Sequence, residues 1–420
     1  MQIIADFHTH SRFAMACSSK ITVKGMETAA FEKGIRLIGT SDFVHGLWLS
    51  ELKANLEQVG DTGLFRVNGS DSGVRFILSG EVSTIFTGGD NRVKKVHHVI
   101  TLPDFDSVDM LREALSRHGN LESDGRPQLS MSAAQLVEEV FKVSSKSMVF
   151  PAHAWTPYFG VLGSLSGFNS IKEAYEDQEK HIHALETGLS SDPQMNWMVS
   201  SLDKYTLLSN SDMHSLPKLG REANVLELEE KDFSYGEVIG AIENKDVRRL
   251  KSTIEFYPEE GKYHFDGHRQ CKFSVDPTRS DLAVCRVCGK RLTIGVLHRV
   301  KDLADRPIGY RPKNAIPYTS LVPLIEIIAY VMRKSIYTPG VVSEYRKLLS
   351  IGKEFDILAN ADLETIRENS SGDIADAIAN VRANRITIIP GYDGVFGELE
   401  LLNRKRKPES GESRQKALFG

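Results

Sequence analysis

Two histidines one residue apart close an apolar run at the amino terminus, where Ile3 and Ile4 lead through Ala5-Asp6-Phe7 into His8-Thr9-His10. Side chains two apart on a strand point the same way, so this run reads as a short buried strand delivering two imidazoles to one side. Imidazole is a common ligand for zinc and similar transition metals. Metal-ligand types then recur around later apolar runs: Asp42 and His45 after Leu37–Thr40, Glu81 after Arg75–Ser79, and His97 and His98 inside Val96–Leu102. His153 follows Met148-Val149-Phe150-Pro151, and Asp212 and His214 follow Leu207-Leu208-Ser209. One such residue is an ordinary polar group near a loop; the recurrence reads as a shared metal site. Divalent cations held close together acidify a bound water, grip phosphate oxygens and neutralise a departing oxygen, which is the chemistry of phosphoester hydrolysis. No Ser-His-Asp or Cys-His arrangement competes, and Cys17 reads as a small residue of a serine-rich loop.

A second set of ligands lies later in the chain. Gly267-His268-Arg269-Gln270-Cys271 is followed, after a 13-residue spacer, by Cys285-Arg286-Val287-Cys288-Gly289-Lys290. Two ligand pairs of this form make a zinc ribbon, each pair sitting on a turn so that His268, Cys271, Cys285 and Cys288 reach one tetrahedral ion. With all four positions filled by protein, that zinc is expected to be structural.

The elements that must position these residues follow a simple order. Strands are expected at Gln2–Phe7, Leu37–Thr40, Arg75–Ser79, Val96–Leu102, Ser147–Pro151, Ala184–Thr187 and Tyr205–Ser209, with amphipathic stretches such as Val23–Lys33, Val108–Arg117 and Ala133–Phe141 between them. This alternation predicts a parallel α/β architecture, and many repeats without a glycine-rich dinucleotide loop favour a barrel, in which function gathers where strands end. Around the ribbon basic residues crowd together with interleaved aromatics such as Tyr263, Phe265, Tyr310 and Tyr318. Arg269, Lys290, Arg291, Arg299, Arg311 and Lys313 are the expected nucleic-acid contacts, phosphates being neutralised and bases stacked. Beyond Pro317 the periodicity turns helical at Leu321–Lys334, Val341–Leu349, Glu354–Ala359, Leu363–Asn369 and Asp373–Asn384. Ile386–Pro390 reads as a strand leading into the glycine-rich Gly391–Gly397, which suits either a ligand loop or a plain tight turn.

The chain has 420 residues, 41% hydrophobic and 26% charged, with four cysteines and a formal net charge of −4. These values fit a globular protein of two or three domains rather than a disulfide framework. No signal-peptide pattern and no apolar run of about 18 residues is found, so a cytoplasmic, nucleoid-associated monomer with no membrane partner is expected. Boundaries are placed at 1–252 (barrel), 253–300 (ribbon), 301–402 (helical module) and 403–420 (polar tail).

The barrel motifs His8-Thr9-His10, Thr40-Ser41-Asp42 with His45, Glu81, His98-Val99-Ile100, Pro151-Ala152-His153 and Asp212-Met213-His214 resemble those of the polymerase-and-histidinol-phosphatase (PHP) superfamily of metal-dependent phosphoesterases. The resemblance implies a distorted (β/α)7 barrel with two or three divalent metals, zinc or manganese, magnesium being a further candidate in the assay. It implies one metal on His8, His10, Glu81 and Asp212, a second on Glu81, His98 and His153, and a third on Asp42 and His214 with His45. Glu81 is a natural bridge, and Asp212, Glu81, His8 and His10 are the expected catalytic set. The order of barrel, ribbon and helical module resembles the endonuclease Q family. That resemblance implies a DNA repair endonuclease cutting 5′ to hypoxanthine, uracil, xanthine and abasic sites, in single- or double-stranded DNA. Two alternatives stand beside it: a small-molecule phosphatase of the histidinol-phosphate type, and a non-catalytic DNA-binding PHP protein. In the tail, Gln415, Leu418 and Phe419 of Gln415-Lys416-Ala417-Leu418-Phe419 resemble the peptide that grips the sliding clamp.

Overall fold

The computed structural model of the chain describes residues 1–402. The clamp-like Gln415, Leu418 and Phe419 lie outside the described residues. All seven expected strands are present, embedded in a mixed α/β fold with a large central sheet of eleven strands. Its interior strand is Gln2–Asp6, paired parallel with Leu37–Gly39 (Ala5 opposite Leu37) and antiparallel with Ala223–Glu227 (Ile3 opposite Leu226). Leu37–Gly39 continues parallel to Arg75–Thr87. The parallel expectation, already broken by Ala223–Glu227, gives way again from there. Arg75–Thr87 folds back on Val93–Leu102 as a long antiparallel hairpin, and Met148–Pro151 adds antiparallel to the latter. The turn Gly88-Gly89-Asp90-Asn91 joins two runs too closely spaced for a crossover helix, so the chain reverses where a parallel unit would need a dozen or more residues.

Helix ends match their local chemistry. Val23–Lys33 begins at Thr22, whose hydroxyl accepts from Gly25 N–H, and stops at Gly34 with φ +86°. Ala133–Val143 carries a reciprocal cap between Ser132 and Gln135. In the last hundred residues the helices Leu324–Met332, Pro339–Leu348, Glu354–Ala359, Leu363–Asn369 and Gly372–Arg382 follow the expected periodicity to within a few residues. Asp362 caps the fourth by accepting from Thr365 N–H.

Packing crosses the boundaries expected from sequence. Leu250–Glu255 runs through the expected 252/253 boundary and pairs with Tyr318–Ser320, which adds a strand from the second half of the chain to the central sheet. One hydrophobic core runs from Ile21 and Met26 through Trp48 and Trp155 to Ile327, Ile378 and Leu401. A second gathers Ile3, Ala5, Phe7 and Leu37 with Val238, Ile239 and Ile242 of the helix Tyr235–Glu243. Lys33 Nζ reaches Glu354 Oε2 at 2.7 Å with both side chains buried, and Glu354 also accepts from Leu324 N–H and Tyr345 O–H. Among the described residues no helix is long and apolar enough to cross a membrane.

Candidate metal centre

The metal-ligand types come from strands far apart in sequence, and backbone hydrogen bonds stitch their ends together. Asp212 N–H donates to His8 O (3.0 Å) and His10 N–H to Met213 O (3.2 Å), so the His-x-His and Asp-x-His segments lie side by side. Asp42, His153 and Asp212 hold positive φ values of 29°, 31° and 45°, and Ser41 one of 66°. Left-handed backbone at non-glycine residues costs about 1–3 kcal/mol each and persists where the surroundings impose it, often at functional sites.

Glu81 sits at the middle. It lies inside the strand Arg75–Thr87, not after it, and its two oxygens divide the histidines. Oε1 is 2.8 Å from His97 Nδ1 and 3.2 Å from His153 Nε2. Oε2 is 3.3 Å from His10 Nε2 and 3.5 Å from His8 Nε2. Asp212 Oδ1 closes the other side, 3.0 Å from His10 Nε2, 3.6 Å from His214 Nδ1 and 3.7 Å from His8 Nε2. Three overlapping groups of converging donor atoms result: His8, His10 and Glu81; His10, Asp212 and His214; and Glu81, His97 and His153.

Three expected ligands stand elsewhere. His98 does not join the cluster; His97 does. In the hairpin Glu81 faces Val99, so positions 97 and 99 share its side of the sheet and 98 takes the opposite side. There His98 Nε2 pairs with Thr84 Oγ1 and its Nδ1 with Tyr175 Oη, each at 2.9 Å. Asp42 stands behind His10, its Oδ1 3.0 Å from Nδ1 and its Oδ2 accepting from Ser11 N–H at 2.6 Å. His45 stacks on Phe13, 4.5 Å between ring centres, with Glu122 as its nearest carboxylate at 3.8 Å.

Two residues of the centre were not singled out from sequence. Glu186 closes the strand Ala184–Glu186, accepts from His153 N–H (2.9 Å) and Asn210 Nδ2 (3.0 Å), and lies 2.9 Å from His8 Nδ1. A carboxylate ending the apolar run Ala184-Leu185 was the available signal. Arg126 Nη1 donates to Glu81 Oε2 at 3.1 Å from a loop whose sequence carries no such signal.

The residues fit divalent cations. Nε2 of His8, Nε2 of His10 and Oδ1 of Asp212 are buried without hydrogen-bond partners although they face one another, and unpaired buried lone-pair carriers call for a bound partner. His8 and His10 each turn their other ring nitrogen to a carboxylate, the arrangement that fixes a metal-binding imidazole. Burial opposes charge at Glu81, yet His97, Arg126 and His8 hold its carboxyl well below the usual range. Asp212 is likewise held low by His214 and His10 against its burial. Burial pushes His97 down to about 4, leaving a neutral imidazole able to act as a ligand.

The four donors of His268, Cys271, Cys285 and Cys288 converge on one point, with Gly289 at φ +70° turning the chain and donating to Cys285 O at 2.8 Å. Desolvation opposes the Cys285 thiolate, but Cys288 and Val287 N–H groups bring it down to about 7, toward the form that binds metal. Of the basic residues around it, Arg269, Lys290, Arg291, Arg311 and Lys313 are exposed. Arg299 is not available in that way: it donates to Leu162 O, Phe168 O and Asn169 Oδ1 and so ties loop 160–169 to the helix Val296–Leu303. The Gly391–Gly397 loop is likewise built into the protein. Asp393 accepts from Arg269 N–H and Thr293 O–H, and Gly391 N–H donates to Glu259 O.

Residues 323–385 match the family model described as the MJ0043 C-terminal domain. The uncharacterized protein MJ0043 of Methanocaldococcus jannaschii is 31% identical over 267 residues, 60% of this chain and 32% of that protein, so the chain spans about a third of that relative's length. The uncharacterized protein YqxK of Bacillus subtilis is 27% identical over 418 residues, 95% of this chain and 99% of that protein. Among solved structures, the lesion-specific endonuclease PfuEndoQ from Pyrococcus furiosus is 33% identical, with 96% of this chain and 98% of that one covered and a TM-score of 0.82. Endonuclease Q in complex with a 27-mer duplex substrate with an abasic lesion at the active site is 32% identical over 96% of this chain and 99% of that one, at a TM-score of 0.83. With a third of its residues shared across nearly the full length of solved endonuclease Q structures, the chain belongs to the endonuclease Q family.

Proposed function

We propose that this chain is a metal-dependent DNA repair endonuclease that hydrolyses the phosphodiester bond 5′ to abasic sites and to hypoxanthine, uracil and xanthine. The observation that carries the reading is the buried cluster of orphaned imidazole and carboxylate atoms in a chain of this family. The proposed ligands are His8, His10, Glu81 and Asp212, with His97 and His153 on the second oxygen of Glu81 and His214 beside Asp212. Asp42 and Glu186 orient His10 and His8. Bound divalent cations, zinc or manganese, would acidify water and neutralise phosphate charge. The chain's own part is to hold the imidazoles in one orientation and to exclude bulk water around Glu81.

The fold is read as a PHP-type barrel over 1–252, followed by a ribbon with a structural zinc on His268, Cys271, Cys285 and Cys288 over 253–300 and a helical DNA-binding module over 301–402. Exposed Arg269, Lys290, Arg291, Arg311 and Lys313 would track the DNA backbone. A damaged base costs less to extrude than a paired one, which contributes to selectivity. Action beside the nucleoid in the cytoplasm, as a monomer, and docking of Gln415, Leu418 and Phe419 on a sliding clamp complete the proposal.

The test is incubation with manganese and four substrates: duplexes carrying an abasic site or inosine, an undamaged duplex, and histidinol phosphate. Nicking of the two damaged duplexes alone is expected; release of phosphate from histidinol phosphate without nicking would overturn the reading.

A further inference from the structure

Among the described residues, Arg126 places a guanidinium, a group that cannot itself bind a metal, against Glu81. Its loop is pinned on both sides. Asp124 Oδ1 accepts from Arg126 N–H (3.0 Å) and Met15 N–H (3.3 Å), and Gly125 N–H donates to Phe13 O (3.1 Å). Pro127 O accepts from Ser83 N–H (2.9 Å), after which Gln128–Leu129 pairs with Ser83 and Thr84. The loop passes so close to the centre that a Cβ on Gly125 would lie 2.4 Å from Asp42 Oδ2, which leaves no room for a side chain there. The backbone is thereby fixed with Arg126 aimed at Glu81.

That position is costly for a merely structural arginine. A guanidinium 3.1 Å from a carboxylate oxygen shared by His8 and His10 repels any cation those groups bind. Glu81 has four imidazoles around it as well, so it is not left without partners if the guanidinium turns to another anion. Among the described residues the guanidinium makes this single hydrogen bond, while 21% of the side chain remains exposed. The other four N–H donors of the planar fork are left without a protein acceptor beside the candidate metal centre, and such a fork suits phosphate oxygens.

We propose that Arg126 is the phosphate-gripping residue of this centre, binding a nonbridging oxygen of the scissile phosphodiester through the N–H groups that Glu81 leaves unused. The proposal rests on the nuclease reading above and adds to it a substrate contact made by protein rather than by metal.

The test separates phosphate charge from everything else in the duplex. Abasic duplexes are made with either a stereopure phosphorothioate at the scissile linkage, which keeps the charge and one nonbridging oxygen and slows cleavage, or a methylphosphonate, which removes the charge. Equilibrium binding to the enzyme as isolated is followed by fluorescence anisotropy, with metal content measured on the same samples. Wild type should prefer the charged linkage by about tenfold, the scale of a charge-assisted hydrogen bond. Arg126→Gln should show a preference about tenfold weaker than that of wild type at unchanged metal content, and Arg126→Lys should keep part of the difference. Equal preference in wild type and Arg126→Gln, no preference in wild type, or loss of metal in Arg126→Gln would each overturn the assignment. Failure of wild type to nick the ordinary abasic duplex would instead count against the nuclease reading, so the two failures are distinguishable.

Discussion

Glu186 holds His8 by its Nδ1 at 2.9 Å while accepting the backbone N–H of His153, so one buried carboxylate sets the pose of two histidines from different strands. Replacing it with glutamine keeps the shape and removes the charge. Glu186→Gln is expected to reduce metal occupancy and nicking by about 10–100-fold, the usual effect of losing an outer carboxylate. Metal content by mass spectrometry and single-turnover nicking check it; wild-type values for both would show that His8 needs no such support.

Asp212 contributes a carboxylate to two of the three donor groups' surroundings while its backbone is tied to His8 O and its φ is already unusual. Asp212→Ala should abolish nicking with circular dichroism unchanged, because the stitching uses backbone atoms. A folded variant cutting inosine-containing DNA at the normal rate would remove Asp212 from the catalytic set.

The ribbon prediction separates two metal populations. Cys285→Ser with Cys288→Ser should lose one equivalent of zinc and lower thermal stability and DNA affinity, while cations at Glu81 stay bound. Unchanged zinc stoichiometry would contradict a cation on these four donors.

Lys33 and Glu354 form a buried pair linking the first helix to the C-terminal helices. Lys33→Met leaves Glu354 charged and buried, with Leu324 N–H and Tyr345 O–H as its remaining donors. A destabilisation of about 3–5 kcal/mol is expected, the range for breaking a buried pair by removing one partner. Urea unfolding measures it, and a change below about 1 kcal/mol would place the pair among weak surface contacts.

Burial raises the carboxyls of Glu255 to about 8 and Asp192 to about 6, and that of Glu222 well above the ordinary range. A group whose folded pKa is raised binds more protons in the folded state. Its contribution is therefore present below the ordinary carboxyl value of 4.5 and is lost as pH rises toward 8. Melting temperature should fall across that window for wild type and fall less for Glu255→Gln. Parallel curves for the two would exclude Glu255 as a source of the slope.

The sequence carried the strand and helix positions well because apolar runs and their periodicity are local: Gln2–Phe7 and Leu363–Asn369 each fall within a residue of the element found. It carried much of the candidate metal-binding cluster for the same reason, since His8-Thr9-His10 is a local pattern at one strand end. What it could not carry is register. His97 and His98 are equally good ligands in isolation, and the choice is made by Glu81 pairing with Val99 across a hairpin. Asp42 has the right chemistry and the wrong depth, serving His10 from behind. Arg126 belongs to a loop that shows no periodicity, so only the fold brings it to Glu81. Arg299 reads as a DNA contact by composition, yet three carbonyl-type acceptors on loop 160–169 claim it.

The interior place of Gln2–Asp6, between Leu37–Gly39 and Ala223–Glu227, has a consequence for how the protein comes into being. His8 and His10 leave the ribosome well before the strand Ala223–Glu227 on one flank and the Asp212 segment that faces them. Long-range pairing of this kind forms only when both partners are available. Until those segments emerge the two histidines lack the Asp212 carboxylate and the antiparallel strand beside them, so a product released before Ala223–Glu227 cannot complete the candidate metal centre.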